Sequence, residues 1–240
     1  MDQVTLTFAV VMDDSFTLTL WGTSSILETQ YFPPIELSPN KNYALGLVEF
    51  LTFNSIPNVD IGQNRFYVGN KVITIPTGSY ETGDIQRYLQ YVLVNEGIDI
   101  HIKPNNNTLK SEIYCNREIN FDPKDSIGRL LGFTQKKLEA NKLYESDQPV
   151  SIIKVNSLRV ECSITTGAYI NGQKVHTIHE FYPIVPPGYK IVEVPSHINY
   201  LPVAVQTINH IQLRIVDQDG HLVNFRGEVI TVRLHVKSLR

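Results

Sequence analysis

Between residues 174 and 183 the chain reads KVHTIHEFYP, which puts His176, His179 and Glu180 within five residues. Imidazoles and carboxylates bind zinc or iron, and on a helix these three would share one face, as metal-binding helices require. The flanking residues argue for a strand instead. Asn171-Gly172 lies just upstream and Pro183 just downstream, while Val175, Thr177, Ile178, Phe181 and Tyr182 are β-branched or aromatic. Strand side chains alternate, so His176 and His179 point to opposite sides. His176 and Glu180 share a side but stand four rises of about 3.3 Å apart. A cupin-type metal strand uses His-x-His, and here two residues intervene. The expectation is a strand whose histidines have structural partners, with Val175, Thr177, His179 and Phe181 on one side.

Three other stretches imitate known chemistry. DQDGHLVNFRGE (217–228) has acids at the first, third and twelfth positions of a calcium loop, Asp217, Asp219 and Glu228. Its sixth position is Leu222, where the sharp turn needs glycine, so a hairpin turn at 217–220 is expected. IPTGSYETGD lacks the lysine of a phosphate-binding loop, and Gly78 directly precedes Ser79, unlike a nucleophile elbow. Asn106-Asn107-Thr108 matches a glycosylation acceptor, which is used only on an exported chain. No spacing of serine, histidine and aspartate singles out a catalytic set. The reading therefore assigns no catalytic, cofactor-binding or metal-binding residue, no cofactor and no enzymatic activity.

Bulk properties narrow the class further. The 240 residues are 42% hydrophobic, enough to bury a substantial core in one large β domain or two small ones. With 21 basic against 24 acidic residues, no bulk attraction to nucleic acid or an acidic membrane is indicated. Cys115 and Cys162 fit no CxxC spacing; two free thiols is the simple reading, and one disulfide stays open. The first residues lack the basic start and cleavage site of a signal peptide, and their apolar run is too short to span a bilayer. A soluble, intracellular chain is expected.

The elements that must position these residues are mostly strands. Val4, Leu6, Phe8 and Val10 alternate with Thr5, Thr7 and Ala9; Phe16, Leu18 and Leu20 continue the pattern. Ile211, Leu213 and Ile215, then Ile230, Val232, Leu234 and Val236, repeat it near the other end. One apolar and one wetter face per strand is how an antiparallel sandwich reads. VGNK (68–71) and INGQ (170–173) supply tight-turn residues, and prolines mark strand edges, giving roughly ten to twelve strands. One region breaks the rhythm. Ile85, Tyr88, Leu89, Val92 and Leu93 fall at helical spacing, with Thr82 or Ser79 as start signal and Gly97 after the end. A hairpin follows (IDIHIK, PNNNT, LKSEIYC), then a second short helix at 125–133 starting from Asp125 or Ser126. Residues 78–145 are thus expected as an α+β insertion in a single all-β domain spanning 1–240.

Several strings taken together carry a resemblance: NKVITIPTGSYETGDIQRYLQ, NNNTLKSEI, DSIGRLLGF, PVSIIKVNSLRVECSITTGAYING, HTIHEFYPIVPPGYKIVEVP and IVDQDGHLVNFRGEVITVRLH. In order and joint presence they resemble the minor capsid, or penton, proteins of Polinton (Maverick) elements and related adintovirus-like viruses, from about Lys41 onward. The resemblance implies a single jelly-roll β-sandwich that forms homopentamers at the five-fold vertices of an icosahedral shell. It further implies a virion location and a separate double jelly-roll major capsid protein as partner. It brings no catalytic residues and names no interface residues. Two other classes stand beside it. A jelly-roll carbohydrate- or ligand-binding module would need exposed aromatics, and Trp21 is the one tryptophan. A cupin-like metalloenzyme would need the 174–183 stretch to chelate.

Overall fold

The computed structural model describes residues 14–239. The expected strand at Val4–Val10, and the reading of the leader, lie outside the described residues. The chain divides into two compact units, residues 1–55 with 155–240, and Ile56–Lys154.

The first unit is a β-sandwich of eight principal strands: β1 (Ser15–Gly22), β2 (Ile26–Glu36), β3 (Asn42–Phe53), β4 (Leu158–Cys162), β5 (Thr177–Phe181), β6 (Lys190–Glu193), β7 (Thr207–Val216) and β8 (Ile230–Leu239). One sheet runs β1-β8-β3-β6 and the other β2-β7-β4-β5, every pair antiparallel. This interleaved order, with early strands paired to late ones in both sheets, is a jelly roll. The period-two pattern produces it directly. Leu18, Leu20, Leu45, Leu47, Phe50, Val232 and Leu234 are buried in one sheet, and Leu27, Val160, Ile211, Leu213 and Ile215 in the other. Burying each such side chain contributes about 1.5–3 kcal/mol. Phe50 bridges to the second sheet, with its ring centroid 5.0 Å from that of Phe181.

The three expected turns form. The hairpin at 69–70 joins Val68 to Lys71, and Asn171-Gly172, both at positive φ, joins Ile170 to Gln173. The 217–220 turn forms, closed by the antiparallel Val216–Leu222 bridge with Asp217 N–H donating to the His221 carbonyl and Val223 N–H to the Ile215 carbonyl, but β7 and β8 lie in different sheets, so it does not join two paired strands. Pro33 and Pro34 do not end a strand. They sit inside β2, an edge strand, where a missing N–H costs no ladder bond. The described residues hold eighteen strands, more than the expected ten to twelve because many are only two to five residues long.

The second unit, Ile56–Lys154, contains the expected 78–145 stretch and adds the 65–74 hairpin. Its helix α1 (Thr82–Leu93) buries Ile85, Leu89 and Leu93 against Phe66, Ile100, Ile113 and Phe133. Its start signal is neither Thr82 nor Ser79: Glu81 is the cap, exchanging bonds with Asp84 in a capping box. The expected helix at 125–133 is a single 3-10 turn, Ile127–Arg129, begun by Ser126 Oγ accepting from Gly128 N–H. The hairpin of Ile100–Asn105 with Lys110–Cys115 forms as read.

Candidate functional site

His176, His179 and Glu180 do not converge. His176 lies between the Gln173–Val175 strand and β5, and its Nδ1–H donates to the Thr165 carbonyl at 3.1 Å. His179, on β5, donates from Nε2 to Glu193 Oε1 on β6 at 2.8 Å, and its ring stacks on Phe181 at 5.8 Å. Glu180 is exposed and pairs in register with Arg159 of β4. The register with β4 passes from His179 opposite Val160 to Thr177 opposite Glu161, leaving Ile178 as the extra residue, so Thr177 and Ile178 are both buried and strict alternation is lost. Both imidazoles are thus held by protein acceptors, one on a loop carbonyl and one on the opposite sheet.

The 217–228 stretch forms a tight loop rather than a cage. Asp217 Oδ1 accepts the backbone N–H groups of Asp219 and His221, both at 2.9 Å. Glu228 lies apart, just before β8, where its N–H donates to the Phe225 carbonyl. Asp217, Asp219 and His221 are the one His/Cys/Asp/Glu triplet among the described residues whose ligand atoms lie within 4.8 Å of one another. The buried Arg159 guanidinium donates twice to the Asp217 carbonyl, at 3.1 and 2.7 Å, and puts a positive charge beneath this loop. A cation there would meet that charge.

Cys115 and Cys162 are both free and buried, which settles the question left open by their spacing. Burial pushes the Cys162 thiol up to about 11 and raises that of Cys115, so neither is a thiolate nucleophile at neutral pH.

The two outward faces of the sandwich differ in kind. On the β2-β7-β4-β5 sheet the face is a polar ladder: Gln212 donates to Glu28 at 3.1 Å, and Arg214 pairs with Glu161 at 2.9 Å. On the β1-β8-β3-β6 sheet one transverse row is largely apolar, Trp21 beside Thr231, then Leu51, then Val192, each in register with the next. Trp21 is 73% and Val192 56% exposed, and Phe53, Val194 and Val229 are exposed as well. The other half of this face is covered. Between β6 and the short strand Leu201–Pro202, the chain crosses over Gly46, where an added Cβ would lie 2.4 Å from Ile198 Cγ2. Tyr200 Oη lies 2.8 Å from His235 Nδ1, and Lys237 Nζ sits 3.7 Å above the Tyr200 ring. The sequence carried a signal for the apolar row: in FTLTLW, Trp21 falls out of phase with Leu18 and Leu20.

The fold is similar to that of a solved viral structure. The crystal structure of the mavirus penton protein superposes with a TM-score of 0.50 at 14% sequence identity, covering 94% of this chain and 99% of that one. At this identity the likeness concerns the fold: a penton-like jelly roll. No protein-family model and no curated protein sequence matches the chain. No helix among the described residues is long and apolar enough to cross a membrane.

Proposed function

We propose that this chain is a minor capsid (penton) protein of the Polinton and adintovirus type. Five copies form a ring that closes a five-fold vertex of an icosahedral shell, surrounded by a double jelly-roll major capsid protein. One observation carries the reading: the chain has the full eight-strand order of a single jelly roll, and its likeness to a penton protein extends over nearly the whole of both chains. The chemistry is consistent with a structural role. The residues most suggestive of catalysis, His176 and His179, each have one ring nitrogen engaged by a protein acceptor, Thr165 and Glu193.

Mechanism is then geometric. A closed cyclic ring needs two different surfaces per copy, each meeting the other on the next copy. An apolar row such as Trp21, Leu51 and Val192 exceeds the scattered single apolar residues of an ordinary monomer surface and suits a buried role in such an assembly. Native mass spectrometry and electron microscopy of the purified protein, alone and with the major capsid protein, test the reading. Rings of five support it. A stable dimer or trimer that persists in the presence of shell components overturns it.

A further inference from the structure

β2 and β5 end one sheet, β1 and β6 end the other, and the His179–Glu193 bond joins β5 to β6. The sandwich therefore has a β1–β2 margin and, at the far end of the strand order, a β5–β6 margin. The second is largely apolar. Phe53, Tyr182, Ile184, Tyr189, Val192 and Val194 are all exposed there, Ile184 at 91%. They belong to β6, to the loops on either side of it, and to the end of β3, where Phe53 is in register with Lys190. The loop entering β6 is fixed in place. Asn54 Nδ2–H donates to the Val185 carbonyl at 2.7 Å, Gly188 N–H to the Asn54 carbonyl at 2.7 Å, and Asn54 N–H to the Tyr189 carbonyl at 2.8 Å. Pro183, Pro186 and Pro187 stiffen it further. An apolar surface already held in shape loses little freedom when it is covered.

Its size points to a protein partner. With a whole aromatic side chain offering about 150–250 Å², the six residues expose roughly 700 Å² of largely apolar surface. The largest patch on an ordinary monomer covers about 300–600 Å², and each side of a standard protein interface about 800 Å². The counterpart lies on β2. Its register with β7 passes from Ile35 opposite Ile208 to Gln30 opposite His210, so Tyr31, Phe32, Pro33 and Pro34 stand against Asn209 alone and form a bulge. Phe32 in this bulge is 100% exposed, more than any other large hydrophobic residue described. The two prolines after it restrict the backbone that presents the ring.

We propose that Phe32 of one copy packs on the β5–β6 margin of the next copy, and that this contact closes the ring. This rests on the penton reading above and names the two surfaces that such a ring requires. Phe32 and the apolar patch stand on opposite margins, so each copy receives one neighbour and offers itself to the other, as a heterologous interface must. A pairing of two β5–β6 margins would leave Phe32 in water and stop at a dimer. An aromatic anchor that seats in an apolar surface carries a large share of the binding energy of such a contact.

The test uses full-length chains, alone and with the major capsid protein. Phe32→Ser and Val192→Asp are each expected to raise the protein concentration at which rings form by about tenfold or more. Both positions are exposed, so the melting transition should stay within a few degrees of the parent's. Rings of five that form as readily in both variants overturn the contact and leave the penton reading intact. A chain carrying Phe32→Cys together with Ile184→Cys is then treated with a short bismaleimide, which joins one thiol at each end; the buried Cys115 and Cys162 stay out of its reach. Covalent species of up to five chains are expected from the double variant, and no covalent dimer from either cysteine alone. Dimers from Ile184→Cys alone mean that like margins meet, which overturns the proposal, as does the absence of any cross-link. Cross-linked double-variant chains in an assembly that is not five-membered keep the contact and overturn the penton reading.

Discussion

His179 of β5 and Glu193 of β6 join the two sheets of the sandwich through a 2.8 Å hydrogen bond between Nε2 and Oε1. β5 and β6 are edge strands of their two sheets, so the pair sits at the margin of the sandwich. Phe181 stacks on the imidazole and in turn touches Phe50 of the facing sheet. Both side chains are largely shielded, at 13% and 27% exposed. Removing one partner strands the other in a poorly hydrated position. His179→Ala is expected to destabilise the protein by about 1–3 kcal/mol, with Glu193→Gln costing less because an acceptor remains. A double-mutant cycle by urea denaturation checks it: additive losses would show that the two residues do not interact.

Gly46 is required by close approach rather than by backbone conformation. Its missing side chain leaves room for Ile198 and for the Asn199 carbonyl, which an added Cβ would meet at 2.4 and 2.8 Å. Gly46→Val is expected to lift the 194–200 segment and cost about 1–3 kcal/mol. Limited proteolysis should then cleave within that segment, while the unsubstituted protein resists under the same conditions.

Asp147 gives a pH signature. Its carboxylate accepts from Lys136 Nζ at 2.6 Å and from the N–H and Oγ1–H of Thr134 at 2.9 and 2.8 Å. These bonds, that of Lys136 first, hold its pKa well below the usual carboxylate range. A depressed folded-state pKa contributes stability that is present above the unfolded value, about 3.9, and is lost as pH falls toward the folded one. Asp147→Asn is therefore expected to lower the urea midpoint at pH 7, with the gap to the parent protein narrowing below about pH 4. A gap constant from pH 7 to pH 2 would contradict the assignment.

The two thiols should be silent in the native state. Cys115 and Cys162 are buried, and their raised pKa values leave little thiolate at neutral pH. A chromogenic disulfide reagent at pH 8 is expected to label neither within minutes and both after denaturation. Rapid native labelling would mean that one of the two cores opens easily.

Local features were legible because their causes are local. The Gly69-Asn70 and Asn171-Gly172 turns, the buried stripe of α1 and the alternation along β7 and β8 each follow from a few neighbouring residues. What the letters hid was partnership at a distance. Nothing near His179 announces Glu193, fourteen positions later and on the other sheet. Thr82 looked like a helix cap because hydroxyls usually are, yet the Glu81–Asp84 exchange satisfied the same N–H groups one residue earlier. Pro33 and Pro34 suggested a strand end because their tolerance depends on β2 lying at a sheet edge, which is a property of topology. The candidate metal set failed for a related reason: alternation is broken at Ile178 of β5, which the register with β4 leaves unpaired.

The second unit interrupts the connection from β3 to β4 with about a hundred residues, yet its two ends are tied together. Asn58 Nδ2–H donates to the Ile152 carbonyl at 3.1 Å, close to where the chain enters and leaves. A flexible loop of that length would cost roughly 4 kcal/mol to close. Once the insert has folded on its own core, the distance along the chain between β3 and β4 shrinks to a few effective residues. β3 and β4 lie in different sheets, so the folded insert lowers the chain-entropy cost of bringing one sheet over the other.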